Sequence, residues 1–353
     1  MERDATAELT GRVQAAAAAG TPLRLAGSGS KSFYGRRPQG ELLCVNDHSG
    51  VIDYDPQELV VTARCGTPLA ALEAQLAECG QYLPFEPPHF GPAATLGGTI
   101  ACGLAGPARA TAGPMRDFVL GVRVLTGAGE VLHFGGRVMK NVAGYDITRL
   151  MVGALGTLGV LLEVSLKVMP RAPGQLTLTF ELDAAQALER MNDWALTPLP
   201  ISGTSWVDGQ LHVRLQGSTA ALADARQRIG GEALAEAQNF WQSIKEHTHA
   251  FFHGAANLWR LSVPAESVPI DVPGRTLIEW TGSQRWLVPD DARADLHQKA
   301  ADRGGFATRF RAADAGAEVF APLPDVLMRV HRELKKTFDP HGILNPGRLY
   351  ADL

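Results

Sequence analysis

The segment PPHFGPAATLGGTIACGLAGPARATAGPMRD, Pro87 to Asp117, constrains this chain more than any other. It is too long to be an idle connection in a compact domain, because loops of that length are functional or disordered. Its glycines, Gly91, Gly97, Gly98, Gly103, Gly106 and Gly113, cost conformational entropy, and the return on that cost is close approach of backbone to a ligand. Two further segments share the character. LRLAGSGSKSFYG, Leu23 to Gly35, is a short apolar strand running into glycine, serine and lysine, and GALGTLGV, Gly153 to Val160, has glycine at every third position.

The first of these loops is no familiar phosphate loop. A dinucleotide fingerprint needs G-x-G-x-x-G opening a helix, but Ser32 holds the third glycine position and FYGRRPQG follows. A Walker loop needs a glycine before its lysine, where this chain has Ser30. A nest of backbone N–H groups could still hold a phosphate, and an ordinary tight turn is the competing reading. Two glycine-rich loops from separate strands suit a pyrophosphate gripped from two sides, and so a long dinucleotide. Arg109 and Arg116 are candidate phosphate partners or solvated surface charges.

The remaining pattern is mixed. Thr6–Ala19 reads as a helix stopped by Gly20, and Leu59–Ala63 as a strand. Thr67 and Pro68 read as cap and first position of a helix with Leu69, Leu72 and Leu76 inward. Strands are expected over 118–126, 130–134 and 161–169. After Pro170–Pro173 the character changes to hairpins at Asp208-Gly209 and Gly282-Ser283, with helices over 184–196 and 291–303. An amphipathic helix carrying Val326, Val330 and Leu334 opens the last stretch, Pro324 to Leu349. The expected fold class is α+β, an antiparallel sheet layer with helices on one face following the glycine-loop domain.

Composition excludes several functions. A net charge of −4 argues against nucleic-acid binding. The polar start Met1-Glu-Arg-Asp argues against a secretory signal, and the longest apolar run, Leu150 to Leu162, is too short and glycine-rich to span a bilayer. A cytoplasmic location is expected. Cys44, Cys65, Cys79 and Cys102 show no C-x-x-C spacing, so no iron–sulfur or zinc site is expected. His249 and His253 would share a helix face as a metal pair, but packed or surface histidines are the preferred reading, and no metal is expected. His89, beside the second loop, is a candidate to face the cofactor.

Taken in order, AGSGSK (Ala26–Lys31), ATLGGTI (Ala94–Ile100), KNVAGYD (Lys140–Asp146), GTLGV (Gly156–Val160) and FDPHGILNPG (Phe338–Gly347) resemble the FAD signature of the vanillyl-alcohol-oxidase type, or PCMH-type, flavoproteins. Within them the chain resembles the small FAD-binding subunits of bacterial glycolate oxidases over nearly its whole length. The resemblance implies a two-subdomain PCMH-type FAD domain (residues 1–173), an antiparallel α+β cap domain (174–322) and a C-terminal helix and tail (323–353) returning to the FAD domain. It implies that Gly27, Ser28, Gly29, Ser30, Lys31 and Ser32 form one wall of the pyrophosphate site, and Thr95, Leu96, Gly97 and Gly98 the other. Gly113, Asp117 and Val160 would approach the adenine side or the flavin, Arg109 is a further candidate cofactor contact at the phosphates, and Asn345 would close over the isoalloxazine. Many relatives carry a flavin-linking histidine in the first loop; this chain has none there, so FAD is expected to be non-covalent.

No H-x-G-D-G-N-x-H hydroxy-acid motif is present. The resemblance therefore implies an FAD-dependent oxidoreductase subunit, converting glycolate to glyoxylate with a larger FAD-containing subunit and an iron–sulfur subunit, and peripheral at the inner membrane face through them. The alternatives are a self-sufficient 2-hydroxy acid oxidoreductase and a structural flavin-bound subunit. The middle region, rich in tryptophan and carrying Phe240, Phe251 and Phe252, is a candidate docking surface unless those rings fill its core.

Overall fold

The computed structural model describes residues 2–136, 146–312 and 318–353. KNVAGYD therefore lies outside the described residues except for Asp146. The fold is α+β, as expected. A five-stranded antiparallel sheet runs in spatial order Val51–Asp55, Val60–Arg64, Val160–Lys167, Val119–Leu125 and Val131–Gly135. Its central strand, VLLEVSLK, is buried on both faces, which is why the sequence reads there as a nearly continuous apolar run. On one side Val61, Val122 and Val164 pack under the helices Leu69–Glu78 and Leu96–Cys102. On the other, Val160 and Leu162 meet Leu9 and Val13 of the helix Thr6–Ala19 and the parallel strand pair Leu23–Ala26 and Glu41–Cys44. Each fully buried leucine, such as Leu72 or Leu76, stabilises this arrangement by about 2 kcal/mol.

The C-terminal tail joins the parallel pair. Leu23 N–H donates to the Ile343 carbonyl (2.7 Å), and Asn345 N–H to the Leu23 carbonyl (2.9 Å). The first strand is thereby flanked on both sides, once by its sequence neighbour and once by a segment some 320 residues away.

An eight-stranded antiparallel sheet runs in order Glu232–Ala233, Gly174–Glu181, Gln210–Gly217, Ile201–Val207, Gly274–Glu279, Gln284–Pro289, Leu258–Ser262 and Phe306–Arg311. One face is apolar and covered by the helices Ala184–Ala195, Thr219–Ile229 and Leu296–Ala301. The other, carrying Arg214, Glu279, Trp286 and Phe310, packs on the glycine-loop half of the chain. Arg214 ion-pairs with Glu86 across that junction at 2.8 Å, and Trp280 Nε1–H donates to the Gly106 carbonyl at 3.0 Å. Glu279 is wholly buried there; burial raises its carboxyl to about 7, against hydrogen bonds from Trp286 Nε1 and Gln284 Nε2 that favour the ionised form.

Several local expectations need correction. The long glycine segment is not all loop: Leu96–Cys102 and Arg109–Ala112 are helical, because Thr95 caps the first of these by accepting from Gly98 N–H. Thr67 caps nothing; its hydroxyl is engaged with Gly50, and the helix begins at Leu69. The 291–303 helix shrinks to Leu296–Ala301, capped by Asp295, and the second hairpin turns through the 3-10 segment Trp280–Gly282. The last helix is Asp325–Phe338, but Val326 and Val330 are exposed and only Lys335 and Phe338 are buried. The middle region's rings are no docking surface: Trp194, Trp241, Trp259, Trp280, Trp286, Phe251 and Phe252 are buried, and Phe240 is partly buried. Among the described residues no helix is long and apolar enough to cross a membrane.

Candidate cofactor site

A cavity of about 1070 Å³ opens between the first glycine loop, Thr95 and Gly98, Leu155, the tail at Asn345 and Arg348, and the edge strand Phe306–Arg311 of the eight-stranded sheet. That volume matches pockets that enclose large ligands. Its ionisable lining is cationic, with Arg24, Lys31, Arg37, Arg309, Arg311 and Arg348 and no carboxylate among the described residues.

The first loop builds the wall best suited to a pyrophosphate. Ser32 N–H closes a turn onto the Gly29 carbonyl (2.9 Å) and Tyr34 N–H onto that of Lys31 (3.1 Å). The N–H groups of Ser28, Gly29 and Lys31 donate to nothing among the described residues. Gly29 has φ +78°, and its Cβ direction meets no atom within 4 Å. A left-handed residue with open space before it and unspent donors around it is the backbone nest an anion requires.

Gly27 and Thr95 meet where the two loops come together. A Cβ on Gly27 would stand 2.2 Å from Thr95 Oγ1, so only glycine lets the first loop reach the capped helix. The second wall is otherwise unlike the expectation. Leu96 N–H is spent on the Thr67 carbonyl, Gly97 N–H on that of Cys65 and Gly98 N–H on Thr95 Oγ1. Leu96 is core, and Gly97 abuts Cys65. This wall supplies shape and the first loop supplies donors.

Lys31 of the first loop is buried, and its Nζ donates to the His89 carbonyl (3.1 Å) beside the Phe90 ring. Burial lowers its pKa, and the nearby Cys102 and Glu246 oppose that shift. The His89 ring itself turns away, onto Glu73 at 2.8 Å. His249 and His253 share no helix: His249 caps the 3-10 turn Ala250–Phe252, and His253 Nε2 lies on the Thr248 carbonyl. No group of three or more metal-ligating side chains occurs among the described residues.

Arg109, Gly113 and Asp117 do not line the cavity. The Arg109 guanidinium stacks over Trp280 at 4.5 Å, and Asp117 pairs with Arg149 at 3.2 Å, with Gly113 beside it. Val160 lines a small adjoining space together with Gly97, Gly156 and Asn345. Asn345 reaches the cavity, but its amide is spent: Oδ1 accepts from Leu25 N–H (2.8 Å) and Nδ2 donates to the Leu155 carbonyl (2.7 Å). It fixes the cavity walls and does not swing over a ring.

Two positioning residues, Arg348 and Lys335, lie outside the quoted motifs and escape a reading of the sequence. Arg348 is buried and donates to the carbonyls of Ser32, Tyr34 and Arg36, holding the loop in a bend. Lys335 donates to the carbonyls of Thr157 and Leu344 and to Asp339, whose carboxylate accepts from Ile343 and Leu344 N–H. The only available signal was Asp339 and Asn345 inside FDPHGILNPG.

Residues 4–135 match the FAD binding domain family, and residues 321–349 match the C-terminal domain of FAD linked oxidases. Over 352 residues the chain is 49% identical to glycolate oxidase subunit GlcE of Escherichia coli (strain K12), covering 100% of this chain and 99% of that protein. It is 31% identical over 159 residues to glycolate oxidase subunit GlcD of Bacillus subtilis (strain 168), covering 44% of this chain and 34% of that one. In fold it is similar to a 4-ethylphenol oxidase from Gulosibacter chungangensis, with TM-score 0.71 at 14% identity over 100% of this chain and 89% of that one. FAD, the cofactor these matches give, fits the cationic cavity and the unspent donors of the first loop. The chain is an FAD-dependent oxidoreductase and belongs to the family of the glycolate oxidase subunit GlcE.

Proposed function

We propose that this chain is the FAD-binding subunit of a complex that oxidises glycolate to glyoxylate, with a larger flavin subunit and an iron–sulfur subunit as partners. On this reading residues 1–173 and 323–353 hold the cofactor and residues 174–322 cap it. The first loop, Gly27 to Ser32, holds the pyrophosphate; Thr95, Gly97 and Gly98 shape the opposite wall; Val160 and Asn345 set the depth between them. FAD, once bound, supplies the two-electron chemistry.

One observation carries the subunit reading. Oxidising a 2-hydroxy acid removes a proton from its hydroxyl, and that needs a base within hydrogen-bond reach. Among the described residues the charged groups the cavity offers are arginines and Lys31, and Lys31 Nζ is engaged in donating to the His89 carbonyl. Among the described residues such a site binds anions and offers no carboxylate or imidazole as proton acceptor, so this reading assigns glycolate oxidation to a partner. Membrane attachment, on the same reading, comes through the partners.

The test is co-purification from native extract, then glycolate-dependent dye reduction with each subunit omitted in turn. The expected result is a flavin-containing chain inert to glycolate until its partners are added. Turnover by this chain alone at the full rate of the mixture makes it a self-sufficient oxidase instead.

A further inference from the structure

A second cavity, about 780 Å³, lies between the C-terminal helix and the edge strand Phe306–Arg311. It shares one thin wall with the cofactor cavity. At three places consecutive residues face opposite sides: Gly35, Leu155 and Val319 line the cofactor cavity, and Tyr34, Ala154 and Phe320 line the groove. The barrier at these points is a single chain, roughly 5 Å of backbone.

The groove is largely apolar; its polar lining comprises Asp295, His297 and Gln298 about the short helix Leu296–Ala301 and a separate corner at Tyr34 and Arg260. Tyr34 is 5% exposed, and its phenol accepts from Arg260 Nη2 at 3.1 Å. Its own O–H donates to nothing among the described residues, and no carboxylate there pairs with Arg260. A buried phenol with an unspent proton, backed by a guanidinium, is a donor aimed at a ligand oxygen. At the mouth, His331 anchors Nδ1 on the Leu327 carbonyl, and its Nε2 has no hydrogen-bond partner among the described residues. Outward along the same helix the apolar stripe continues as Leu327 and Val330, both about half exposed.

We propose that this groove binds a small apolar quinone that reoxidises the flavin through the shared wall. The proposal rests on the reading that FAD occupies the first cavity. An apolar ring suits the lining, a quinone carbonyl suits the Tyr34–Arg260 corner, and the exposed stripe gives an apolar ligand its approach. Two electrons pass from reduced flavin to the quinone. Two protons reach its oxygens from solvent by way of His331, and quinol leaves. The flavin returns to its oxidised form and releases its protons on its own side.

Menadione is the probe. Its affinity for the holoprotein is measured by calorimetry, and reoxidation of the anaerobically photoreduced protein by stopped flow, with ferricyanide as a hydrophilic comparison. Tyr34→Phe removes the donor at constant shape, and Leu323→Arg places a charge in the half-buried lining. The expected result is tenfold or greater loss of menadione affinity and of menadione reoxidation rate in both variants. Flavin content and ferricyanide reoxidation stay at wild-type level. No measurable binding, or equal rates in all three proteins, overturns the quinone site. Failure of the underlying cofactor reading shows separately, as full flavin content in Gly29→Val.

Discussion

The contact between Gly27 and Thr95 allows a sharp test of how the cofactor cavity is closed. Gly27 has an ordinary negative-φ backbone, so Gly27→Ala adds no torsional strain; the cost is steric alone. The new methyl would stand 2.2 Å from Thr95 Oγ1 and 3.2 Å from its Cγ2. The loop must retreat or the threonine must leave its capping rotamer. Overpacking of this kind costs about 2 kcal/mol, and loss of a threonine cap about 1 kcal/mol. Thr95→Ala removes both offending atoms and forfeits the cap, at about 1 kcal/mol. The double variant has room for the methyl and is expected to cost about 1 kcal/mol, against about 3 kcal/mol for independent effects. The assay is a double-mutant cycle on FAD affinity, read from flavin fluorescence on titrating apoprotein, with urea unfolding in parallel. Gly27→Ala alone should weaken FAD roughly thirtyfold if the whole strain falls on binding. Additive single and double variants would show that the loops are not pressed together and would refute the reasoning.

Three further outcomes follow from the same geometry. Gly29→Val places a β-branched side chain at φ +78° in the open nest, so flavin should be lost while far-UV circular dichroism is largely kept; wild-type FAD content returns the loop to an ordinary turn. With no histidine between Gly27 and Gly35, acid precipitation should release all flavin, and a fluorescent band on a denaturing gel contradicts this. Burial raises Glu279 to about 7 in the folded chain, so the folded state keeps a proton that the unfolded chain has released between 4.5 and about 7. Stability is fully present below that interval and declines as pH rises across it, by about 3 kcal/mol. Glu279→Gln should flatten this slope and be the more stable protein at pH 8, as read from thermal unfolding; an unchanged slope refutes the assignment.

The legible parts of the fold were those governed by local rules. Asp208 and Gly209 both take positive φ, as a two-residue hairpin demands, and Gly20 ends the first helix in the left-handed conformation. In the first loop the glycine and serine pattern leaves a nest and an ordinary turn both open, and the structure adds the unspent N–H groups around Gly29. In the second segment glycine density suggests loop throughout, whereas Thr95 caps a short helix and Gly97 clears Cys65. Val326 and Val330 show the opposite error. Their helical spacing is real, but periodicity reports an apolar face without saying what covers it, and among the described residues nothing does. Arg109 escaped for a third reason: an arginine beside glycines looks like a phosphate ligand until a tryptophan from distant sequence occupies it.

The tail gives these separate readings a common cause. Lys335, Asn345 and Arg348 together make hydrogen bonds to the backbone of Leu25, Ser32, Tyr34, Leu155 and Thr157, in the segments that bound the cofactor cavity. Buried side chains that satisfy backbone carbonyls in this way are expensive to unmake, because each lost partner leaves a desolvated polar group. The first loop has no helix to stiffen it, and its shape depends on a segment at the far end of the sequence. The cavity can therefore close only once the chain is complete to Arg348. FAD binding and tail docking then stabilise one another, since a ligand that favours the closed cavity favours the docked tail by the same free energy. Truncation before Asp339 should accordingly abolish flavin retention even though the whole glycine loop remains, with limited proteolysis of the first loop as the direct readout of its loss of order.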